Sequence, residues 1–304
     1  MPCFHPKPAW WGTKPHHATG KLGLVFIRPE GVTEPELFVA CGRCVGCRVD
    51  RSRSWAVRCY HEAQMHDDNC FLTLTYSPEK LPPTGSLVVD DHQRFLKRLR
   101  KRIKNRVRFF HCGEYGDENQ RPHYHTILFG YDFKDKKLHK IKNGNKIYTS
   151  ELLSSIWGNG FCTLGSVTFQ SAAYCARYTM KKVYGEEAPN HYRRTWDDGS
   201  TYLVKPEYTT QSKGIGKSWV LKYGFDEIFP DDFIVIENRK IAVPEYYLKM
   251  LEKADPERFE AVKERRRQFL EANEDEYSPE RLMAKKEVFT SRVSLLKRGL
   301  DNEA

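Results

Sequence analysis

The sequence predicts an α+β fold, an antiparallel sheet covered by helices, and three observations carry that expectation. Residues 70–76, Cys-Phe-Leu-Thr-Leu-Thr-Tyr, are a strongly strand-forming run closed by Ser77-Pro78. Residues 107–112 and 123–129 read as two further strands, joined by the polar stretch Gly116-Asp117-Glu118-Asn119-Gln120-Arg121-Pro122, so they should pair as a hairpin. Amphipathic helical runs lie on either side of these strands, an order that suggests layers rather than strands wound around helices.

Taken from the N-terminus, residues 1–47 are rich in Pro, Gly, Cys and His and read as an irregular, metal-pinned segment. From about 49 to 65, Ala56, Cys59, Tyr60 and Ala63 recur at helical spacing. Asp90 or Asp91 can cap a helix reaching about Lys104, with Phe95, Leu96, Leu99 and Ile103 on one face and Lys and Arg on the other. Another strand is expected over 161–167, and Ser171 can cap a helix from Ala172 to about Val183, ended by Gly185. Beyond a basic glycine loop, Lys213-Gly214-Ile215-Gly216-Lys217, residues 233–236 and 240–243 form a short hairpin. Two charged helices, about 244–272 and 279–298, finish the chain. The division that follows is a Cys/His-rich leader at 1–48, a catalytic domain at 49–230, and a hairpin with a helical C-terminal extension at 231–304. That extension either binds a host helicase or the origin duplex, or braces the catalytic domain.

At 304 residues the chain can bury a sizeable core. Its 50 Lys and Arg against 40 Asp and Glu give a net charge of +10, and 13% of its residues are aromatic, a combination suited to nucleic acid but shared with many basic proteins. No run of eighteen apolar residues exists and the first residues lack a secretory signal, so a soluble, cytoplasmic protein without a membrane partner is expected.

Side chains two apart on a strand share a face, so His123 and His125 can aim both imidazoles at one point. Glu114, near the end of the preceding strand, can add an oxygen. Two imidazoles, a carboxylate and open water positions suit Mg²⁺ or Mn²⁺ in a phosphate-processing site, although a lone His-x-His pair is more often a solvated strand face. His111 is a further candidate ligand, but three residues from Glu114 it should face differently. Tyr174 and Tyr178 stand four apart on the expected helix, with Lys181 and Lys182 just beyond. A phenol with a pKa near 10 needs activation to act as a nucleophile, and ammonium groups or a metal-bound phosphate supply it. Alone, such a stripe is more often a helix packing on a sheet. Together, the two motifs form a complete set for cleaving a phosphodiester.

Nine cysteines include Cys41, Cys44 and Cys47 within seven residues. In a reducing compartment that clustering favours metal, with three corners of a zinc tetrahedron filled and Cys3 preferred over His5 or Cys59 for the fourth. Arg48, Arg51 and Arg53, the run 97–104 with Lys97 and Lys101, and Lys213 with Lys217 could follow a DNA backbone, as against simply solvating helix faces.

The runs Phe71-Leu72-Thr73-Leu74-Thr75, Arg121-Pro122-His123-Tyr124-His125 and Tyr174-x3-Tyr178-x2-Lys181 resemble the three ordered motifs of HUH endonucleases, rolling-circle replication initiators and their relatives. More narrowly, the Pro-rich leader, the cysteine triplet with Arg48, Gly113-Glu114-Tyr115-Gly116 and Lys213-Gly214-Ile215-Gly216 resemble the replication initiators of gokushoviruses, small single-stranded-DNA phages of the Microviridae, over residues 38 to 250. The resemblance implies an HUH-type sheet and a tyrosine that attacks one origin strand, leaving a 5′-phosphotyrosine and a 3′-hydroxyl that primes a host polymerase in the bacterial cytoplasm. It implies that a second tyrosine releases a unit circle. A transposase or relaxase would share this chemistry. A histidine-dependent nucleotide hydrolase would want a second histidine motif that Thr126-Ile127-Leu128 does not offer, and a single-stranded-DNA packaging protein would leave the histidines and tyrosines structural.

Overall fold

The computed structural model describes residues 3–15, 20, 22–103, 106–116, 119–177, 182–183 and 185–295. They fall into two units, one within 1–51 and 264–297 and the other within 52–263. In the first, β1 (Lys7–Pro15), β2 (Leu22–Val25) and β3 (Leu37–Val39) make a small antiparallel sheet in the order β2-β1-β3, followed by the start of α1 (Val45–Ala63). The leader is therefore not irregular throughout. Its prolines signalled loops, yet Pro8 and Pro15 sit near the ends of β1, where a missing N–H is best tolerated, and Ala9-Trp10 between them are buried.

The second unit is built on seven strands: β4 (Asn69–Thr75), β5 (Arg108–Tyr115), β6 (Pro122–Phe129), β7 (Lys137–Lys142), β8 (Asn145–Thr149), β9 (Cys162–Gly165) and β12 (Tyr208–Gln211), the short pair β10 (Arg193–Thr195) and β11 (Thr201–Leu203) standing apart. Their order is β12-β5-β6-β4-β9-β8-β7, and every pairing is antiparallel. The expected α+β architecture and the β5–β6 hairpin are both present. Strand alternation sorts the residues onto two faces. One face turns Leu72, Leu74, Tyr124 and Leu128 into a core with α2 (Val89–Ile103) and α3 (Glu151–Trp157). The other turns Phe110, Cys112, Ile127 and Phe129 toward α1 and α4 (Phe169–Arg177).

Two helix starts differ from expectation. Asp90 and Asp91 lie inside the first turn of α2 rather than at its cap, where their charges face the positive end of the helix dipole. Thr168, not Ser171, precedes α4: Ser171 N–H donates to Thr168 Oγ1 (3.0 Å) and Thr168 N–H to Ser171 Oγ (2.8 Å), a reciprocal capping box that moves the start back by a turn. The described helix ends at Arg177 and residues 182–183 are not helical, while 178–181 lie outside the described residues.

The rest of this unit comprises α5 (Ala188–Tyr192), α6 (Lys217–Trp219), a π-helical turn (Val220–Gly224), α7 (Phe225–Glu227), the hairpin β13 (Phe233–Ile236) and β14 (Arg239–Ala242), and α8 (Glu245–Ala254). Glu237 and Asn238, both at positive φ, make the β13–β14 turn. The expected helix over 244–272 is divided at Asp255 into α8 and α9 (Pro256–Glu271), because Pro256 restricts the residue before it; α10 (Pro279–Ser294) follows.

Candidate active site

Alternation along β6 points His123 and His125 to the α4 side of the sheet and Tyr124 and Thr126 to the other. Register brings Glu114 of β5 and Thr75 of β4 beside His123, and Cys112 and Thr73 beside His125. His125 is 3% exposed and Glu114 4%, and they meet directly, Nε2 to Oε1 at 3.0 Å. A carboxylate only accepts, so Nε2 carries the proton in this pairing and Nδ1 accepts from the Thr73 hydroxyl at 3.1 Å. His123 is held the other way around. Its Nδ1–H donates to the Arg121 carbonyl at 2.7 Å, leaving Nε2 unprotonated, the state a metal ligand needs. Burial lowers the His123 pKa, and the neighbouring His125 lowers it further against the opposing pull of Glu114, which favours the neutral ring.

This donor set fits a hard divalent cation in kind: a neutral imidazole nitrogen and a carboxylate whose present partner is a proton that a cation can replace. It is not drawn tight. Among the described residues only the four cysteines discussed below bring three or more donor atoms within 4.8 Å of one another. The ring of His123 leans toward the hairpin connection, where a Cβ on Gly116 would stand 3.1 Å from its Cε1.

Helix α4 lies over the histidine face. Tyr174, 4% exposed, sets its ring edge-on to His125 with centroids 5.2 Å apart, and Phe71 stacks on His125 at 5.6 Å and meets Tyr174 at 6.1 Å. The structure thus brings His125, Glu114 and Tyr174 together, with His123 next along the strand. Tyr178 and Lys181 lie outside the described residues, and half-buried Lys182 follows the described end of α4. Thr73 and Arg121, which orient the two imidazoles, were not singled out from sequence as orienting groups. The alternation of Phe71, Thr73 and Thr75 in a strand paired with the histidines was the available signal. His111 faces away, as its spacing implied: it bonds Thr126 Oγ1 (3.1 Å) and stacks on His92 with centroids 3.2 Å apart.

In the other unit, Cys3, Cys41, Cys44 and Cys47 converge, all four Sγ atoms lying within 4.8 Å of one another. The Cys3–Cys44 and Cys41–Cys47 sulfurs are 3.9 and 4.0 Å apart, against about 3.8 Å between thiolates on a tetrahedral zinc at ~2.3 Å. Backbone N–H groups of Cys41, Cys44 and Cys47 donate to Cys3, Cys41 and Cys44 sulfurs at 3.2, 3.3 and 3.5 Å, contacts that favour thiolate over thiol. Burial raises the Cys41 pKa, but the amides of Arg43 and Cys44 together with the Cys3 and Cys44 side chains bring the group down to about 7, whereas burial holds the Cys3 and Cys47 thiols above their ordinary value. Cys3 is the fourth cysteine of this cluster, and buried Cys59 lies outside it.

The basic residues are dispersed. Arg51 donates to the Gly42 carbonyl at 3.2 Å in the cysteine loop, and Arg48 is half-buried nearby in α1. Exposed Lys97 and Lys101 ride on α2, in the layer opposite the histidine face, so they do not border that site. Lys213 and Lys217 are exposed at the ends of the glycine loop, whose interior is structural: Ile215 is buried, its carbonyl accepts from Arg58 Nε, and Gly216 N–H donates to Glu62 at 2.7 Å. Gly216 sits at φ +77, and a Cβ there would stand 2.4 Å from the Tyr247 hydroxyl.

Residues 69–183, which carry β4, the histidine strand and α4, match the family profile described as replication-associated protein ORF2/G2P. The chain is 36% identical over 231 residues to the replication-associated protein VP4 of Bdellovibrio phage phiMH2K, covering 72% of this chain and 69% of that one. It is 30% identical over 267 residues to the replication-associated protein ORF2 of Spiroplasma virus 4, covering 83% and 79%. The replication-associated protein ORF4 of Chlamydia phage 1 is 30% identical over 225 residues, 70% of this chain and 53% of its own length. No solved structure matches. The chain belongs to the family of phage replication-associated proteins.

Proposed function

We propose that this protein initiates rolling-circle replication by nicking one strand of the viral origin through tyrosine attack and rejoins that strand at termination. The observation that carries the reading is the meeting of His125, Glu114 and the Tyr174 ring on one sheet face, with centroids of the two rings 5.2 Å apart. His123, His125 and Glu114 would hold Mg²⁺ or Mn²⁺, which when bound supplies positive charge that draws electron density from a non-bridging phosphate oxygen. The Arg121 carbonyl keeps His123 in the tautomer whose Nε2 can ligate, and His125 would ligate through Nε2 with its proton on Nδ1, donating to Thr73 Oγ1. The phenolic oxygen of Tyr174 or Tyr178 bonds to phosphorus, the bond from phosphorus to the 3′ oxygen breaks, and the phenolic proton is delivered to that oxygen. The products are a 5′-phosphotyrosine and a 3′-hydroxyl that a host polymerase extends, with a host helicase opening the duplex. Lys181 and Lys182 add charge that stabilises phenolate and the pentacoordinate phosphate. The second tyrosine repeats the step on the new strand and releases a circle.

At the other unit, Zn²⁺ on Cys3, Cys41, Cys44 and Cys47 would act structurally, since four thiolates leave no open position for substrate. The reading places the protein in the cytoplasm of the infected host. Incubation with its own circular genome and Mn²⁺, followed by mapping of 5′ ends that carry protein, should return a single position and none in EDTA. Binding of single-stranded DNA with no metal-dependent cut would make it a packaging protein instead.

A further inference from the structure

We infer that the cavity beside Phe71 and Gly165 is a subsite for one unpaired nucleotide flanking the phosphate that is cut. The inference rests on the reading above that the chain acts on single-stranded DNA. The cavity measures about 330 Å³, near the lower end of the ~300–1,000 Å³ of small-ligand pockets, so it suits one nucleotide and not a duplex.

Its position follows from register. Across β6, β4 and β9 on the histidine face, one row reads His125, Thr73, Thr163 and the next reads Ile127, Phe71, Gly165. The second row runs out of side chain at Gly165, opposite an aromatic ring. A Cβ placed there meets only the Lys146 carbonyl, at 3.6 Å, an ordinary contact in otherwise open space. The missing side chain is thus not demanded by packing or by a positive φ; it leaves room beside Phe71.

The walls have the chemistry of a nucleotide site. On one side stands the β7–β8 hairpin, turned at Asn143 and Gly144, both at positive φ, with Lys146 exposed on it. On the other stands the first turn of α4, with Gln170 exposed. Phe71 offers a face on which any base can stack, the Gln170 amide both a donor and an acceptor for a base edge, and Lys146 a cation for the backbone. Phe71 also belongs to the candidate active site, stacked on His125 and touching Tyr174. A base seated against it lies one ring away from the histidine and the phenol.

Photocrosslinking tests the subsite without requiring any cut. The full chain is mixed in EDTA with short single-stranded oligodeoxynucleotides of random sequence, each carrying one 5-iodouracil, and the crosslinked peptides are identified by mass spectrometry. Crosslinks should concentrate at Phe71 and in residues 142–148. Gly165→Leu, which fills the cavity, should lower their yield and the affinity about ten-fold, in line with the loss of one stacked base, and Gly165→Ala should lower them less. If Gly165→Leu does not reach the wild-type circular dichroism spectrum, Lys146→Glu carries the test and should weaken both several-fold. Crosslinks confined to other segments, or wild-type yields in the folded variants, would overturn the inference. Crosslinks at Phe71 in a protein that never cuts its genome would instead refute the nicking reading and leave the subsite standing.

Discussion

At the scale of single residues, the account turns on which proton sits where. His123 is locked by a backbone carbonyl, and its tautomer therefore does not depend on a neighbour's charge. His125 meets the Thr73 hydroxyl at Nδ1 while its Nε2 faces Glu114. Thr73→Val keeps the shape and β-branching but removes the hydroxyl. It should weaken Mn²⁺ affinity and nicking by about 10–100-fold, the usual range for a lost orienting partner, with nicking partly restored by excess Mn²⁺. A wild-type Mn²⁺ titration in this variant would show that His125 is oriented by packing alone. Glu114 and the histidine pair were legible in the sequence because strand period and hairpin pairing place them with few assumptions. The roles of Thr73 and Arg121 were not, since a hydroxyl or a carbonyl becomes a partner only once the register is known.

At the scale of elements, legibility followed the strength of local signals. Strands β4, β5 and β6 carry continuous β-branched and aromatic runs, and all three were read. Strand β12 is four residues that pair only because β5 offers a free edge, a long-range cause invisible in Tyr208-Thr209-Thr210-Gln211. The β7–β8 hairpin had its signal, Asn143-Gly144 between two strand-like segments, which the sequence reading left unassigned. The leader misled in the opposite sense: proline and glycine implied no sheet, whereas β1 to β3 form one on the same segment as Cys3. Cys3 precedes β1 and Cys41 follows β3, so metal at the cysteines would close a loop containing the whole small sheet. Purified protein should hold one zinc per chain by elemental analysis, and Cys3→Ser or strong chelation should lower the melting temperature and alter near-ultraviolet dichroism from Trp10 and Trp11. Metal-free protein with an unchanged melting curve would contradict a structural zinc.

At the scale of the whole molecule, the net charge of +10 suits nucleic acid but does not locate a site. A second global property is pH sensitivity. Burial lowers the pKa of His61 and of His92 to about 3, from 6.5 in an exposed side chain. Well above pH 6.5 both rings are neutral folded or unfolded and contribute nothing to the slope. Below it the unfolded chain takes up protons that the folded chain refuses, so stability should fall by about 1.4 kcal/mol per pH unit for each such histidine. Denaturant titrations between pH 6.5 and 4.5 should show this loss, and His92→Gln should flatten it by close to one proton; an unchanged slope would mean that the ring protonates inside the fold.

The central claim concerns covalent chemistry at Tyr174 and Tyr178. Its most direct measurement is a denaturing gel of protein incubated with Mn²⁺ and a labelled single-stranded origin fragment. Wild-type protein should carry the label, Tyr174→Phe and Tyr178→Phe singly should reduce or redirect it, and the double variant should carry none. Label retained on the double variant, or on wild-type protein in EDTA, would contradict the account.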